Sequence, residues 1–173
     1  MNLNNFVKAA IFTATAIALG FVFMLIPNVE FISVTVFLSG LTLGFGFGAM
    51  VGGTSMFIYS ALNPLGSGLI YMPLLLGQVI AMSFIGVFGA ITRRLLLNLS
   101  AKILIPITGA IGFLIAIWYD GLTTISYPIA AGYSWEEALA YSVSGLIFTL
   151  MHVLSNTLIF SIVVPGYLRR SSL

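Results

Sequence analysis

Charged residues in this chain are confined to a few short clusters that alternate in sign. They run Lys8, then Glu30, then Arg93, Arg94 and Lys102, then Asp120 with Glu136 and Glu137, then Arg169 and Arg170. Long apolar stretches separate them, so the chain has little with which to face water. Only 6% of residues are charged against 60% hydrophobic, with a mean hydropathy of +1.17, too little charge to cover a soluble domain. The pattern predicts an all-α integral membrane protein. A hydrocarbon core about 30 Å thick takes about 20 apolar residues per helix, which leaves room for roughly six spans in one domain, and none for a soluble domain beside it. The first span is expected to be a mature helix. It is long, others follow it, and Ala18-Leu19-Gly20 has no polar mature region behind it.

Cytoplasmic loops collect Lys and Arg. Over six spans that rule places Lys8, the Arg93 to Lys102 loop and Arg169/Arg170 on the cytoplasmic side, both termini with them. The loops around Pro27 to Glu30, Asn63 to Gly68 and Tyr127 to Glu137 then share the external side and converge on one mouth. Proline, glycine and charge set the breaks, since continuous apolar sequence hides periodicity. The expected helices run from about Phe6 to Ile26, Phe31 to Leu43, Ala49 to Leu62, Leu69 to Thr92, Ile103 to Thr123 and Trp135 to Val164, where Pro165-Gly166 is expected to stop the last. The second and third are short for full spans, and irregular backbone there needs shelter from lipid. Ser126 to Ser134 is expected to be the longest loop and a lid.

Ala10, Ala14 and Ala18 recur every four residues and form one stripe of small side chains on the first helix. Such a stripe serves either packing within the bundle or docking of a separate membrane subunit. Glu30 follows Pro27 and Asn28 at the outer end of that helix. It is either hydrated among lipid headgroups or aimed at a ligand by the proline-fixed loop. Asn63, in Asn-Pro-Leu-Gly, has the same two readings, turn-making or contact. Gln78 lies about nine residues into its helix, roughly 13 Å deep, and its amide requires a partner inside the bundle. Trp118, Tyr119 and Asp120 stand together near the outer end of the fifth helix. The rings suit an interfacial belt, and a carboxylate beside two rings equally suits a flat, polar-edged molecule. His152 and Asn156, four apart, share a face near mid-membrane, as a satisfied core pair or as part of an externally open cavity.

The absences narrow the function classes. There is no cysteine, hence no disulfide or thiolate chemistry. A single histidine argues against a transition-metal site, and no basic stripe suits nucleic acid. No phosphate-cradling Gly-Lys loop and no hydrolase or protease motif occurs, so neither ATP hydrolysis nor other catalysis is expected, and no cofactor.

Six short helices, cytoplasmic termini, the Ala10/Ala14/Ala18 stripe, polar external loops and no ATP site together resemble the substrate-binding S components of energy-coupling factor (ECF) vitamin transporters. The likeness covers most of the chain, and Pro27-Asn28-Val29-Glu30, the glycine-rich Gly40 to Gly53 region and Asn63-Pro64-Leu65-Gly66 look like stretches of such proteins. The resemblance implies that the chain captures a vitamin or related micronutrient from outside a prokaryotic cell (inner) membrane and topples in the bilayer to release it. The alanine stripe would dock to a transmembrane T component driven by two cytoplasmic ATPases. Nickel and cobalt members carry an N-terminal Met-x-His, whereas this chain begins Met1-Asn2-Leu3, and a cysteine-ligating cobalamin subgroup is excluded. The remaining expectation is a neutral or cationic ring-containing molecule held by Glu30, Asn63, Gln78, Trp118, Tyr119, Asp120, His152 and Asn156. Two other classes fit the same helix count, a membrane scaffold with a dry core and a stand-alone proton-coupled carrier using Asp120 or His152.

Overall fold

A computed structural model describes residues 3–171; Met1 and Asn2, where the Met-x-His set is missing, and Ser172 and Leu173 lie outside the described residues. The described residues form seven α-helices and no strand: α1 (Leu3–Phe23), α2 (Ile32–Leu43), α3 (Phe45–Leu62), α4 (Met72–Leu97), α5 (Ala101–Ala130), α6 (Trp135–Ser144) and α7 (Leu146–Arg170). In a chain this apolar, helices satisfy every backbone polar group locally, which a bilayer demands. Many of the hydroxyls bond inward too, Thr35, Thr108 and Thr157 donating to carbonyls one turn back at 2.7 to 2.9 Å. Five helices, α1, α3, α4, α5 and α7, are long and apolar enough to cross a membrane, the pattern of a multi-pass membrane protein.

The twelve residues of α2 make a helix about 18 Å long, short of a bilayer core. It is sheltered instead: every residue from Ile32 to Leu41 is buried, with α1, α3, α4 and α7 packed around it. Phe37 meets Phe160 of α7 edge to face at 5.3 Å. Gly44, at φ 90°, takes a backbone turn that other residues resist and passes the chain directly into α3. The α2–α3 pair then lies on α4 through glycines at backbone contact. A Cβ on Gly40 would stand 1.7 Å from the Gly86 carbonyl oxygen, and one on Gly86 2.0 Å from that of Gly48.

α3 starts at Phe45, inside the glycine-rich run, α4 covers Met72–Leu97 in place of about Leu69 to Thr92, and three further boundaries differ from the sequence expectation. The last expected helix breaks at Gly145 into α6 and α7, so the long apolar pattern holds two elements. Ser134 starts α6 with a reciprocal cap: its Oγ accepts from the Glu137 N–H at 3.3 Å, and Glu137 Oε2 accepts from the Ser134 N–H at 2.7 Å. Pro165-Gly166 does not stop α7, which continues to Arg170. A single missing N–H is tolerated in an apolar helix packed on neighbours. The expected loop from Ser126 is helix as far as Ala130, leaving a short turn before Ser134. That segment is pinned: the Tyr127 ring stacks on Tyr141 at 5.5 Å and meets Tyr71 at 5.1 Å.

Successive long helices run in alternating directions. Gly52 touches the Met82 backbone and Gly48 that of Gly86, while Gly109 abuts Ser161 and Gly112 abuts Asn156, so α3 opposes α4 and α5 opposes α7. The start of α1, the α4–α5 turn and the end of α7, which carry Lys8, Arg93, Arg94, Lys102, Arg169 and Arg170, form a basic end. Glu30, Asp120, Glu136 and Glu137 belong to the opposite, acidic end.

Candidate functional site

The site begins where α1 gives out. Past Pro27 the chain turns through Asn28, the one non-glycine among the described residues with positive φ (57°), and the Ser155 hydroxyl of α7 donates to the Asn28 carbonyl. Asparagine tolerates that conformation better than most side chains. The turn delivers Glu30 to the first turn of α2, where its Oε2 accepts from the Ser33 N–H at 2.9 Å. A carboxylate there meets the positive end of the helix dipole.

Antiparallel packing of α5 on α7 brings Asp120 to His152. His152 Nδ1 lies 2.7 Å from Asp120 Oδ1, and its Nε2 3.5 Å from Glu30 Oε1. Each ring nitrogen thus faces a carboxylate oxygen, a setting that suits the doubly protonated imidazolium. Two carboxylates around one imidazolium leave one negative charge in excess. One turn along, Asn156 Nδ2 donates to Glu30 Oε1 at 3.2 Å, and Asn156 is wholly buried. Burial raises the Glu30 carboxyl, but the hydrogen bond and charge of His152 and the bonds from Ser33 outweigh it and hold Glu30 below the ordinary carboxylate value. Asp120 Oδ2 and Asn156 Oδ1 have no hydrogen-bond partner among the described residues, although both are buried.

The triad forms a wall of a cavity of about 220 Å³, faced also by Phe23, Met56, Tyr59, Met82 and Tyr119. Tyr119 stands edge-on to the His152 ring at 5.8 Å. Across Asn28 and Asp120, which belong to both, lies a second cavity of about 380 Å³ bounded by Gln78, Thr123, Thr124, Tyr141 and Thr149. Aromatic faces, thioethers and carboxylates line the first, and hydroxyls, amides, the Asp120 carboxylate and the apolar Leu74 and Phe148 the second. Such a mixture is chemically suited to stacking and hydrogen bonding with a polar-edged organic molecule. Among the described residues, no group of three or more His, Asp or Glu side chains is arranged to hold a metal ion.

Of the residues expected at a site, Glu30, Tyr119, Asp120 and His152 come together, with Asn156 holding Glu30 from behind. Gln78 faces the second cavity and accepts from Ser60 Oγ at 2.7 Å. Trp118 is separate: it packs on Phe84 at 4.7 Å, in an apolar cleft between α4 and α5 with Phe88 and Leu114. Asn63 caps its own turn, its Oδ1 accepting from the Leu65 N–H at 2.9 Å, and lines neither cavity. Sequence reasoning missed Tyr59, Met56 and Met82, which α3 and α4 turn inward within otherwise apolar runs, and a lone tyrosine there carries no signal. Ala10, Ala14 and Ala18 are exposed, while α1 buries Ala9, Ala16 and Gly20 on its other side. Compared with family models, curated proteins and solved structures, the chain matches none.

Proposed function

We propose that this chain is the substrate-binding S component of an ECF-type transporter, capturing a vitamin-like micronutrient from outside a prokaryotic cell membrane. In this reading α1 to α5 and α7 make six crossings, α2 being the short sheltered one, with both termini and the basic end in the cytoplasm. The acidic end then faces outward with its cavities, and a T component powered by two ATPases grips the exposed Ala10, Ala14 and Ala18.

One observation carries the reading: Glu30, Asp120 and His152, paired with one another, also line a cavity. A scaffold would satisfy Gln78, His152 and Asn156 mutually; Gln78 instead pairs with Ser60 and His152 with Asp120, while Asn156 donates to Glu30 and approaches the His152 carbonyl at 3.5 Å. Charged groups within a membrane domain are costly and mark ligand or ion pathways. Mass spectrometry of small molecules released from the purified, denatured chain tests the proposal. A stoichiometric organic compound is expected; none after growth in rich medium would sink it.

A second reading has its own support. A histidine held between two carboxylates is also the constellation of a proton relay, which a stand-alone carrier would need. Substrate uptake into liposomes holding this chain alone, driven by a pH gradient, would favour that carrier over the S component.

A further inference from the structure

We infer that the acidic end is a two-chambered site for a two-part ligand with the chemistry of a nucleoside: a flat nitrogen heterocycle bearing N–H donors, joined to an uncharged hydroxylated tail. The inference rests on the proposed role as a substrate-binding subunit. The two chambers share Asn28 and Asp120 in their linings, Asn28 held by the Ser155 hydroxyl and Asp120 by His152 at 2.7 Å.

The chambers differ in chemistry. In the first, Tyr59, Tyr119 and the thioethers of Met56 and Met82 offer flat, polarizable surface, and Glu30 and Asp120 offer acceptors but no donors. The excess negative charge of the triad excludes an anion and rewards a ring with N–H groups on its edge. At about 220 Å³ it has space for a heterocycle without substituents of similar size. The second chamber, about 380 Å³, is bounded by no charged side chain other than Asp120. The Thr124 and Thr149 hydroxyls there make no hydrogen bond among the described residues, unlike Thr123, whose hydroxyl donates to the Tyr119 carbonyl at 2.9 Å. Neutral donors and acceptors of this kind match hydroxyl groups and give a charged tail nothing to pair with. Asp120 stands where ring and tail join, and its buried Oδ2 has no hydrogen-bond partner among the described residues.

Titration of the purified protein with adenosine, guanosine and cytidine, each beside its free base and beside ribose, tests this. At least one nucleoside is expected to bind about tenfold more tightly than its base, the worth of one or two added neutral hydrogen bonds, and ribose alone not measurably. Glu30→Gln should weaken base and nucleoside alike. Thr149→Leu, which fills the second chamber, should abolish the nucleoside's advantage, and the near-isosteric Thr124→Val should reduce it if the bulkier variant does not fold. Nucleosides binding no better than their bases would overturn the two-part site. So would absence of binding by all three when a compound of another chemistry is released from the denatured chain. Absence of binding with no compound released would count against the binding-subunit role beneath it.

Discussion

His152 is the residue on which the acidic end depends, because it alone stands between Glu30 and Asp120. Removing one partner of a buried ion pair typically costs about 3 to 5 kcal/mol, chiefly through the charge left behind. His152→Gln leaves two carboxylates facing each other and is expected to lower thermal stability sharply. Adding Asp120→Asn should recover part of the loss, since one uncompensated charge goes with it. A double-mutant cycle on melting temperature reads this, and strictly additive losses would mean the pair is not coupled. Glu30 sets the pH dependence. Its folded pKa lies below the ordinary 4.5, so its ionised form stabilises the fold fully above that value, and the stabilisation is lost as pH falls through the depressed folded value. The melting temperature of the protein should therefore drop on acidification below about 4.5, and Glu30→Gln should flatten that limb. The spacing of His152 and Asn156 made their common face readable from sequence. That Glu30 and Asp120 share their site was expected; which atoms pair was not readable, because Asp120 and Glu30 arrive from other elements whose rotation about their axes no spacing encodes.

At the scale of elements, glycine decides which helices touch. Gly40, Gly48 and Gly86 bring α2, α3 and α4 into backbone contact, closer than any Cβ permits. Gly86→Ala would place a methyl 2.0 Å from the Gly48 carbonyl oxygen, and only separation of two helices relieves it. Overpacking against side chains costs about 1 to 3 kcal/mol, and a backbone cannot turn aside, so the loss should lie at or above the top of that range. Gly46 lies in the same glycine-rich run with nothing within 4 Å of its would-be Cβ. Gly46→Ala should be neutral or gain up to about 1 kcal/mol from helix propensity. Thermal melts of the two variants in detergent provide the comparison, and equal effects would mean the close approach does not exist. The glycine-rich run was visible in sequence as a break, but which of its glycines face a neighbour was not. The same limit hid the break at Gly145: an apolar run reads alike whether one helix or two. The reverse held at Pro165, where a stop signal valid in water is overridden by packing among apolar helices.

At the scale of the whole molecule, two surfaces lie apart, and the proposed function requires both. The cavities gather residues from all seven helices and the α1–α2 loop at the acidic end, whereas Ala10, Ala14 and Ala18 run along the outer side of α1. With Met50 and Thr54 of α3, Ala10 and Ala14 also border a shallow apolar groove. Small side chains turned outward leave room for another helix to approach closely, which is the use the proposed function gives them. Ala14→Phe fills that surface and touches nothing at the acidic end. It is expected to leave melting temperature and retention of the released compound as in the parent protein, while abolishing co-purification with a T component from cells supplying the ATPases. Loss of both properties together would show that binding and docking are one surface, and retention of both would mean that the stripe faces only lipid.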